Sequence, residues 1–226
     1  MTNAPACVGI IMDGNRRYAK ERGLPTFEGH RAGFEKFKEA IDWLHEAGVT
    51  TSIFYAFSTE NWKRSTEEVG YLMDLFAKAL ERELEPIKER GIRIRFIGDL
   101  SRLPAGVRER AENLAEETKE AKNGTVVIAL SYGARAEIVA AANALSAQGN
   151  KDIDEETFRK ALWSADIPDP DLIIRTGGER RLSNFLLYQA AYSELAFTDT
   201  KWPDFSRTEL DAIFADYAAR ERRHGA

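Results

Sequence analysis

The sequence predicts an α/β fold, a single domain over residues 1–226 with a mainly parallel six-stranded sheet flanked by helices. Three observations predict it. Short apolar runs, mostly β-branched or aromatic, alternate with longer stretches of helical period. The alternation repeats along the whole chain, which is the signature of strand–helix–strand units. No Gly/Ser/Pro-rich linker and no internal repeat divides it.

The strands are read at Cys7–Met12, Thr51–Phe57, Ile92–Ile97, Thr125–Leu130, Leu172–Ile174 and Leu195–Phe197. Between the first two, Phe34, Phe37, Ile41 and Leu44 fall on one helical face, and Gly48 sits where a C-terminal cap belongs. Val69, Leu72, Met73, Phe76, Leu80 and Leu84 form a longer stripe that Ser65 and Glu68 open as a capping box. Pro86 should kink or end that helix, because proline lacks the N–H and collides with the preceding turn. Pro104 opens a third helix, Ala134–Leu145 carries a fourth and Asp154 begins a short fifth. Ser183–Tyr192 is read as a sixth, and Ser206 with Glu209 caps a last one through Leu210, Ile213, Phe214 and Tyr217.

Composition narrows the function classes. Apolar residues make up 43% and aromatics 10% of the 226 residues, enough for a sizeable core and against wholesale disorder. No stretch is long and apolar enough for a bilayer span, and no secretory signal is expected at the start. Cys7 is the single cysteine, so a disulfide scaffold is excluded and a cytoplasmic setting is expected. His30, His45 and His224 are too scattered to write a zinc motif. A formal charge of −5 argues against general nucleic-acid binding, so no nucleic-acid partner is expected.

In parallel sheets, ligands bind beyond the carboxyl ends of the strands. The first strand is followed by Asp13, Gly14, Asn15, Arg16, Arg17 and Tyr18. Such a turn can aim backbone N–H groups and two guanidinium groups at an anion. Asp13 would repel phosphate unless a divalent cation lay between them, as Mg²⁺ held by a carboxylate and substrate phosphates does. An ordinary Asp-Gly turn with solvated arginines is the alternative. After the second strand, Ser58–Ser65 reads either as a helix-capping loop or as a substrate loop with Asn61 as a hydrogen-bonding orienter. After the fifth, Gly177 and Gly178 allow a tight turn, and Arg175, Arg181 and Ser183 suit a diphosphate, aided by the helix expected from Ser183. A Gly-Gly turn with exposed arginines is the alternative there. Glu194 reads as a second metal carboxylate or as a solvated residue. Arg220, Arg222 and Arg223 read as a basic helix end. The GxxxxGK[ST] loop of NTPases, a GxGxxG after a strand and the DDxxD motif of trans-type prenyl synthases are all missing from the sequence.

Seven blocks, in order and over most of the chain, resemble the cis-prenyltransferases. They are Met12-Asp-Gly-Asn-Arg-Arg-Tyr-Ala-Lys20, Glu28-Gly-His-Arg-Ala-Gly33, Tyr55-Ala-Phe-Ser-Thr-Glu-Asn-Trp-Lys-Arg64, Ile97-Gly-Asp99, Ile174-Arg-Thr-Gly-Gly-Glu179, Leu182-Ser-Asn-Phe-Leu-Leu187 and Trp202-Pro-Asp204. The resemblance implies an Mg²⁺-dependent homodimer that adds isopentenyl diphosphate to an allylic diphosphate with cis geometry. It implies that Asp13 organises Mg²⁺ and the allylic diphosphate, and that Gly14, Asn15, Arg16, Arg17 and Tyr18, with His30, surround that diphosphate. Asn61 matches the proton acceptor or orienter, and Ser58, Thr59, Glu60, Trp62 and Arg64 match the loop around it. Arg175, Arg181, Leu182 and Ser183 match the isopentenyl diphosphate clamp, and Glu194 the second metal carboxylate. Arg223 and Gly225 resemble an Arg-x-Gly motif that reaches the partner's site.

The chain departs from many bacterial members in Arg16 for glycine, Tyr18 for tryptophan, Thr26 for arginine and Cys7 for histidine. Arg16 is therefore expected to stand in for the arginine that Thr26 replaces. An apolar tunnel lined by Leu72, Leu75 and Phe76, with Ala56 near its entrance, is expected to take the growing chain. The implied product has about ten to eleven isoprene units, and peripheral membrane contact would follow from it, at about 0.8 kcal/mol per buried CH₂. A non-catalytic partner subunit is the rival reading, and an α/β phosphatase a second. The presence of Asp13, Asn61, Arg175, Arg181, Arg223 and Gly225 in one chain favours a self-sufficient enzyme.

Overall fold

The structure is a computed structural model and describes residues 4–149 and 152–220. Six strands, β1 (Cys7–Ile11), β2 (Thr51–Ser58), β3 (Arg93–Ile97), β4 (Thr125–Tyr132), β5 (Leu172–Arg175) and β6 (Glu194–Phe197), form one sheet in the order β3-β4-β2-β1-β5-β6. Every pairing is parallel. Strands buried on both faces read as continuous apolar runs, which is why the sequence marks them so plainly. From β1 the chain builds outward through β2 on one side and resumes with β5 on the other. The strand order therefore reverses at β1, and a ligand crevice is expected beyond the carboxyl ends of β1 and β5.

Side chains alternate between two cores. Val8, Ile10, Phe54, Ile128 and Ile174 pack with the helices α2 (Thr26–Glu46), α3 (Thr66–Lys78), α5 (Ala105–Glu117) and α8 (Arg207–Ala219). Ile11, Ile53, Val127 and Ile173 face the other layer, where Phe185 and Leu186 are fully buried. The helices α6 (Ala134–Ala147) and α7 (Glu155–Ala161) belong to that side.

The predicted cap at Gly48 is present, with φ +89° and its N–H donated to the His45 carbonyl. Ser65 and Ser206 accept from the backbone N–H groups of Glu68 and Glu209, as N-caps do. The two glutamates do not close the boxes: Glu68 turns to His30 and Arg64, and Glu209 to the Thr198 hydroxyl. The stripe through Leu84 is not one helix. α3 ends at Lys78, a π-helical turn covers Ala79–Glu83, and Pro86 lies in the first turn of the short α4 (Glu85–Glu89), where its missing N–H costs nothing.

The helix expected over Ser183–Tyr192 is absent. Residues 176–193 run as successive turns, with Ser183, Asn184 and Leu186 at φ of +48°, +66° and +46°. Phe185 and Leu186 are adjacent, yet both are fully buried against the sheet, an arrangement that a helix on the surface would not give. The apolar spacing in this stretch comes from plugging the core, and no helix dipole starts at Ser183. The turn after β1 leads into the helix α1 (Asn15–Glu21), as the sequence predicts.

α1 and α2 meet closely because α2 carries Gly29 and Gly33 one turn apart. A Cβ on Gly29 would lie 2.1 Å from the Asn15 carbonyl oxygen, and one on Gly33 2.4 Å from Asn15 Oδ1. Because backbone cannot swing aside, Gly29→Ala is expected to lower unfolding free energy in urea by about 1–3 kcal/mol, the range for overpacking. An unchanged urea midpoint would show that α1 is free to move away.

Candidate active site

β1 and β5 end side by side, with Ile11 in register with Arg175. The turn after β1 places Asp13 at the crevice, and Gly14, at φ +112°, packs where a Cβ would come within 2.8 Å of Lys201 Cβ. The Thr176 hydroxyl accepts from the Asp13 N–H at 3.0 Å and donates to the Asp13 carbonyl at 2.8 Å, locking the two turns together. Gly177, at φ +85°, leaves room that Arg17 Nη2 fills.

The Asp13 carboxylate sits between two guanidinium groups. Arg175 Nη2 donates to Oδ2 at 2.9 Å, and Arg17 Nη2 lies 3.1 Å from Oδ1. The Arg175 side chain is only 5% exposed. Its other amino group donates to Ser183 Oγ at 2.6 Å and to the Arg181 carbonyl at 2.5 Å. Among the described residues the buried Arg175 Nε has no partner. One planar fork therefore joins the β1 turn to the turns after β5.

The loop after β2 forms a 3₁₀ turn over Thr59–Lys63. Ser58 Oγ accepts from the Asn61 N–H at 3.2 Å, and Asn61 Oδ1 accepts from the Ser58 N–H at 3.0 Å. The loop caps a turn, and the cap holds Asn61 at the cavity. With Oδ1 occupied by backbone, the Asn61 amide has its two N–H donors left, which suits orienting an oxygen rather than accepting a proton.

These residues surround one cavity of about 1330 Å³. Its mouth carries seven lysine and arginine side chains against three carboxylates, Asp13, Glu60 and Glu179, in a chain whose net charge is −5. Its interior is apolar: Phe34 and Phe37 from α2, Leu72, Leu75 and Phe76 from α3, Ala79 and Leu80 from the π-helical turn, and Phe96, Ile128 and Leu130 from the sheet. Ala56 and Tyr55 stand between the two zones in sequence and line the wall.

The cavity brings together Asp13, Gly14, Asn15, Arg16, Arg17, His30, Ser58, Glu60, Asn61, Arg64, Arg175, Arg181, Leu182 and Ser183. It does not include four other predicted residues. The Tyr18 ring lies beneath the Arg22 guanidinium, 3.9 Å away. The Thr59 hydroxyl donates to Glu60 at 3.0 Å, and Trp62 packs edge-on against Phe57. Glu194 is in register with Leu172, at the far end of the sheet from Arg175, and its carboxylate accepts from Arg220 at 2.6 Å. Three residues of strand, about 10 Å, separate it from the carboxyl end, so this chain does not bring it to Asp13. Arg223 and Gly225 lie outside the described residues.

Sequence reasoning missed three contributors. Glu68, read only as a capping residue, accepts from His30 Nε2 and from Arg64 Nη1, each at 3.0 Å, and lies 3.9 Å from Arg16 Nε. Arg135 lines the mouth from the first turn of α6. Asn184 donates to Glu60 at 2.9 Å and accepts from the Arg135 N–H at 2.8 Å, joining the loops after β2, β4 and β5. Burial works to raise the Glu60 pKa, but Asn184 and the neighbouring hydroxyls outweigh it and hold the carboxyl below its ordinary range.

Burial lowers the His30 imidazole pKa below its ordinary 6.5; the Glu68 hydrogen bond opposes this and the Arg64 charge adds to it. The unfolded chain therefore binds the proton more readily, and His30 contributes stability that is complete above about pH 6.5 and is lost as the pH falls toward the lowered value. Thermal unfolding followed from pH 7.5 to 5.5 should show this loss, and His30→Gln should flatten it. An equal slope in the variant would place the titration elsewhere.

Arg16 and Thr26 both line the mouth, Thr26 at the first residue of α2. The Arg16 side chain is 62% exposed, so it is free to turn inward. If the mouth takes the allylic diphosphate that the resemblance implies, Arg16→Gly is expected to raise its KM about tenfold, or about 1.4 kcal/mol, and Thr26→Arg to restore part of it. An unchanged KM in the single variant would show that Arg16 faces solvent.

A cavity lined by cations and by apolar side chains, at the switch point of a parallel sheet, suits a ligand with an anionic head and a hydrocarbon tail. A family model described as "Putative undecaprenyl diphosphate synthase" matches residues 11–225. The chain is 46% identical over 227 residues to the farnesyl-diphosphate-specific ditrans,polycis-undecaprenyl-diphosphate synthase of Xanthomonas axonopodis pv. citri, covering 98% of this chain and 88% of that one. It is also 46% identical over 230 residues to the geranylgeranyl-diphosphate-specific tritrans,polycis-undecaprenyl-diphosphate synthase of Pyrococcus abyssi, covering 98% and 87%. The crystal structure of lavandulyl diphosphate synthase from Lavandula x intermedia in complex with dimethylallyl diphosphate superposes with a TM-score of 0.94 at 35% identity, covering 99% of each chain. The chain belongs to the cis-prenyltransferases, the undecaprenyl diphosphate synthase family, and is a transferase of prenyl groups.

Proposed function

We propose that the protein is an Mg²⁺-dependent cis-polyprenyl diphosphate synthase. It condenses isopentenyl diphosphate stepwise onto farnesyl or geranylgeranyl diphosphate and yields a Z-polyprenyl diphosphate that serves as a glycosyl carrier lipid precursor. The observation that carries this reading is the joined cavity, with arginines at one end and aliphatic and aromatic side chains at the other. Its volume of about 1330 Å³ exceeds the 300–1,000 Å³ usual for small-molecule sites, as a growing chain requires. The lavender relative, whose structure is a complex with dimethylallyl diphosphate, supports an allylic diphosphate as substrate. The two undecaprenyl synthases stand at equal identity and name different primers, so both primers are kept.

Arg17 and the Asp13–Asn15 turn face the allylic diphosphate, and Arg175, Arg181 and Ser183 face the isopentenyl diphosphate. The donor set fits Mg²⁺. Among the described residues no group of three or more metal-ligating side chains exists, and Asp13 is one carboxylate in a ring of arginines. Mg²⁺ is commonly held in this way, by one or two carboxylates with substrate phosphates completing the shell. When bound, the ion supplies charge neutralisation at the departing diphosphate. Asp13 holds that position, and the arginines meet the negative charge that develops as C1 of the allylic substrate loses diphosphate. The Asn61 amide orients a phosphate oxygen to receive the proton lost from C2 of isopentenyl diphosphate. Leu72, Leu75 and Phe76 keep water from the new chain.

A homodimer with Arg223 and Gly225 reaching the partner site, a cytoplasmic setting and peripheral membrane contact through the product complete the proposal. Among the described residues no helix is long and apolar enough to cross a membrane. Purified protein incubated with Mg²⁺, labelled isopentenyl diphosphate and each primer should give a Z-polyprenyl diphosphate of about C50–C55. No incorporation with either primer would overturn the reading.

A further inference from the structure

The register of β2 and β4 shifts twice near the site. Tyr55 faces Ala129, Phe57 faces Leu130, and Ser58 faces Tyr132. Ala56 is thus an extra residue on β2 and Ser131 an extra residue on β4, two bulges that cancel. The first turns Ala56 into the cavity wall. The second leaves Ser131 fully buried with φ +50°, a left-handed conformation that L residues with a Cβ normally avoid.

The Ser131 hydroxyl has a definite partner. Its Oγ accepts from the Trp62 indole N–H at 3.0 Å. Trp62 directly follows Asn61, within the same 3₁₀ turn. Its ring is held edge-on by Phe57, with a centroid separation of 4.9 Å, and covered by the Arg102 guanidinium at 5.2 Å. On its other side Ser131 is fixed by the Asp99 N–H, which donates to its carbonyl at 3.2 Å. Gly98 permits that approach, since a Cβ there would lie 2.0 Å from the Leu130 carbonyl oxygen.

From this geometry we infer that Ser131 is a positioning residue for Asn61, acting through Trp62, in the prenyl transfer proposed above, on which the inference rests. Residues in sparsely populated backbone regions persist where the surroundings over-determine them, and they cluster at sites of chemistry. Glycine would adopt φ +50° without strain, yet it would leave the buried indole N–H without an acceptor. The serine keeps the strained backbone and supplies the oxygen. The bulge therefore sets where the Ser58–Asn61 turn lies over the cavity, although Ser131 is not among the residues that line it.

Three variants separate this role from folding. Ser131→Gly keeps the backbone and removes the acceptor. Ser131→Asn tolerates the left-handed region and restores an oxygen. Trp62→Phe keeps the ring and removes the donor. In a folded Ser131→Gly protein, kcat should fall about tenfold with both KM values changed less than threefold. Ser131→Asn should recover most of kcat, and the Ser131→Gly/Trp62→Phe double variant should be no slower than the slower single. In ¹⁵N-labelled protein the Asn61 side-chain amide signals should move in Ser131→Gly and return in Ser131→Asn. Unchanged kcat in an active Ser131→Gly enzyme, effects that multiply in the double variant, or unmoved Asn61 amide signals would overturn the inference. If the wild type makes no prenyl product, the prenyl-transfer reading falls, and the amide signals still decide the positioning. Should Ser131→Gly fail to fold, Trp62→Phe carries the same tests.

Discussion

Asp13→Ala is expected to lower kcat at least a thousandfold, about 4 kcal/mol of transition-state stabilisation, while leaving the fold in place. The carboxylate is 30% exposed, so its removal empties no core position and the fold forms without it. What it does lose is the group that separates Arg17 from Arg175, whose guanidinium groups approach its two oxygens at 3.1 and 2.9 Å. Without Asp13 the mouth is more positive and should bind diphosphates at least as tightly, yet it has no carboxylate positioned to hold a divalent cation there. The expected signature is therefore a collapse of kcat without a matching rise in KM, and a turnover that no longer responds to Mg²⁺ concentration. Asp13→Asn should behave in the same way, because it keeps the shape and removes the charge. Full turnover of either variant with Mg²⁺ chelated would remove Asp13 from the reaction. The unfolding midpoint, followed by circular dichroism, is expected to fall with the fold retained, since Arg175, only 5% exposed, is left without the carboxylate that pairs its charge.

Much of this site was legible because of where the chemistry-bearing residues fall. A parallel sheet buries its strands on both faces, so Cys7–Ile11 and Leu172–Arg175 stand out as apolar runs, and the residues just after them must cluster at one end. Asp13, Arg17, Arg175 and Ser183 follow that rule and touch. What was not legible depends on the direction of individual side chains. Trp62 and Thr59 lie in the right loop but point to Ser131 and Glu60. Glu194 opens β6, at the end of the strand away from Arg175. Residues 183–192 have apolar spacing that a helix and a core plug share, and left-handed residues such as Ser183 and Leu186 leave no mark in composition. Ser131 gives no sequence signal either, because its bulge exists only as a register shift between β2 and β4. Glu68 was visible as the third residue after Ser65, but a capping box and a charged hub look alike until His30 and Arg64 are seen to converge on it.

Arg175→Lys is expected to lower kcat/KM for isopentenyl diphosphate at least a hundredfold, about 2.7 kcal/mol, the cost of removing one preorganised donor from a site of developing charge. Charge is conserved in this substitution, so the loss measures geometry. The arginine spans Asp13 on one side and Ser183 with the Arg181 carbonyl on the other, using both amino groups of one rigid plane. A lysine ammonium is a single point with a flexible stem and cannot hold both turns at those separations. The turns after β5 have no helix to stiffen them, with Ser183 and Asn184 in left-handed conformations, so they depend on this fork for their place. Loss of the fork should free Arg181 and Ser183 together, which raises KM for isopentenyl diphosphate more than KM for the allylic primer. It should also loosen the link to Asn184, and through it to Glu60. Ser183→Ala removes only one end of the same link and is expected to cost less, about tenfold, or about 1.4 kcal/mol. Adding Ser183→Ala to Arg175→Lys should then cost little more, because the hydroxyl has already lost its partner. If Arg175→Lys stays within threefold of wild type for both substrates, the guanidinium is a structural ion pair and the isopentenyl diphosphate lies elsewhere in the mouth.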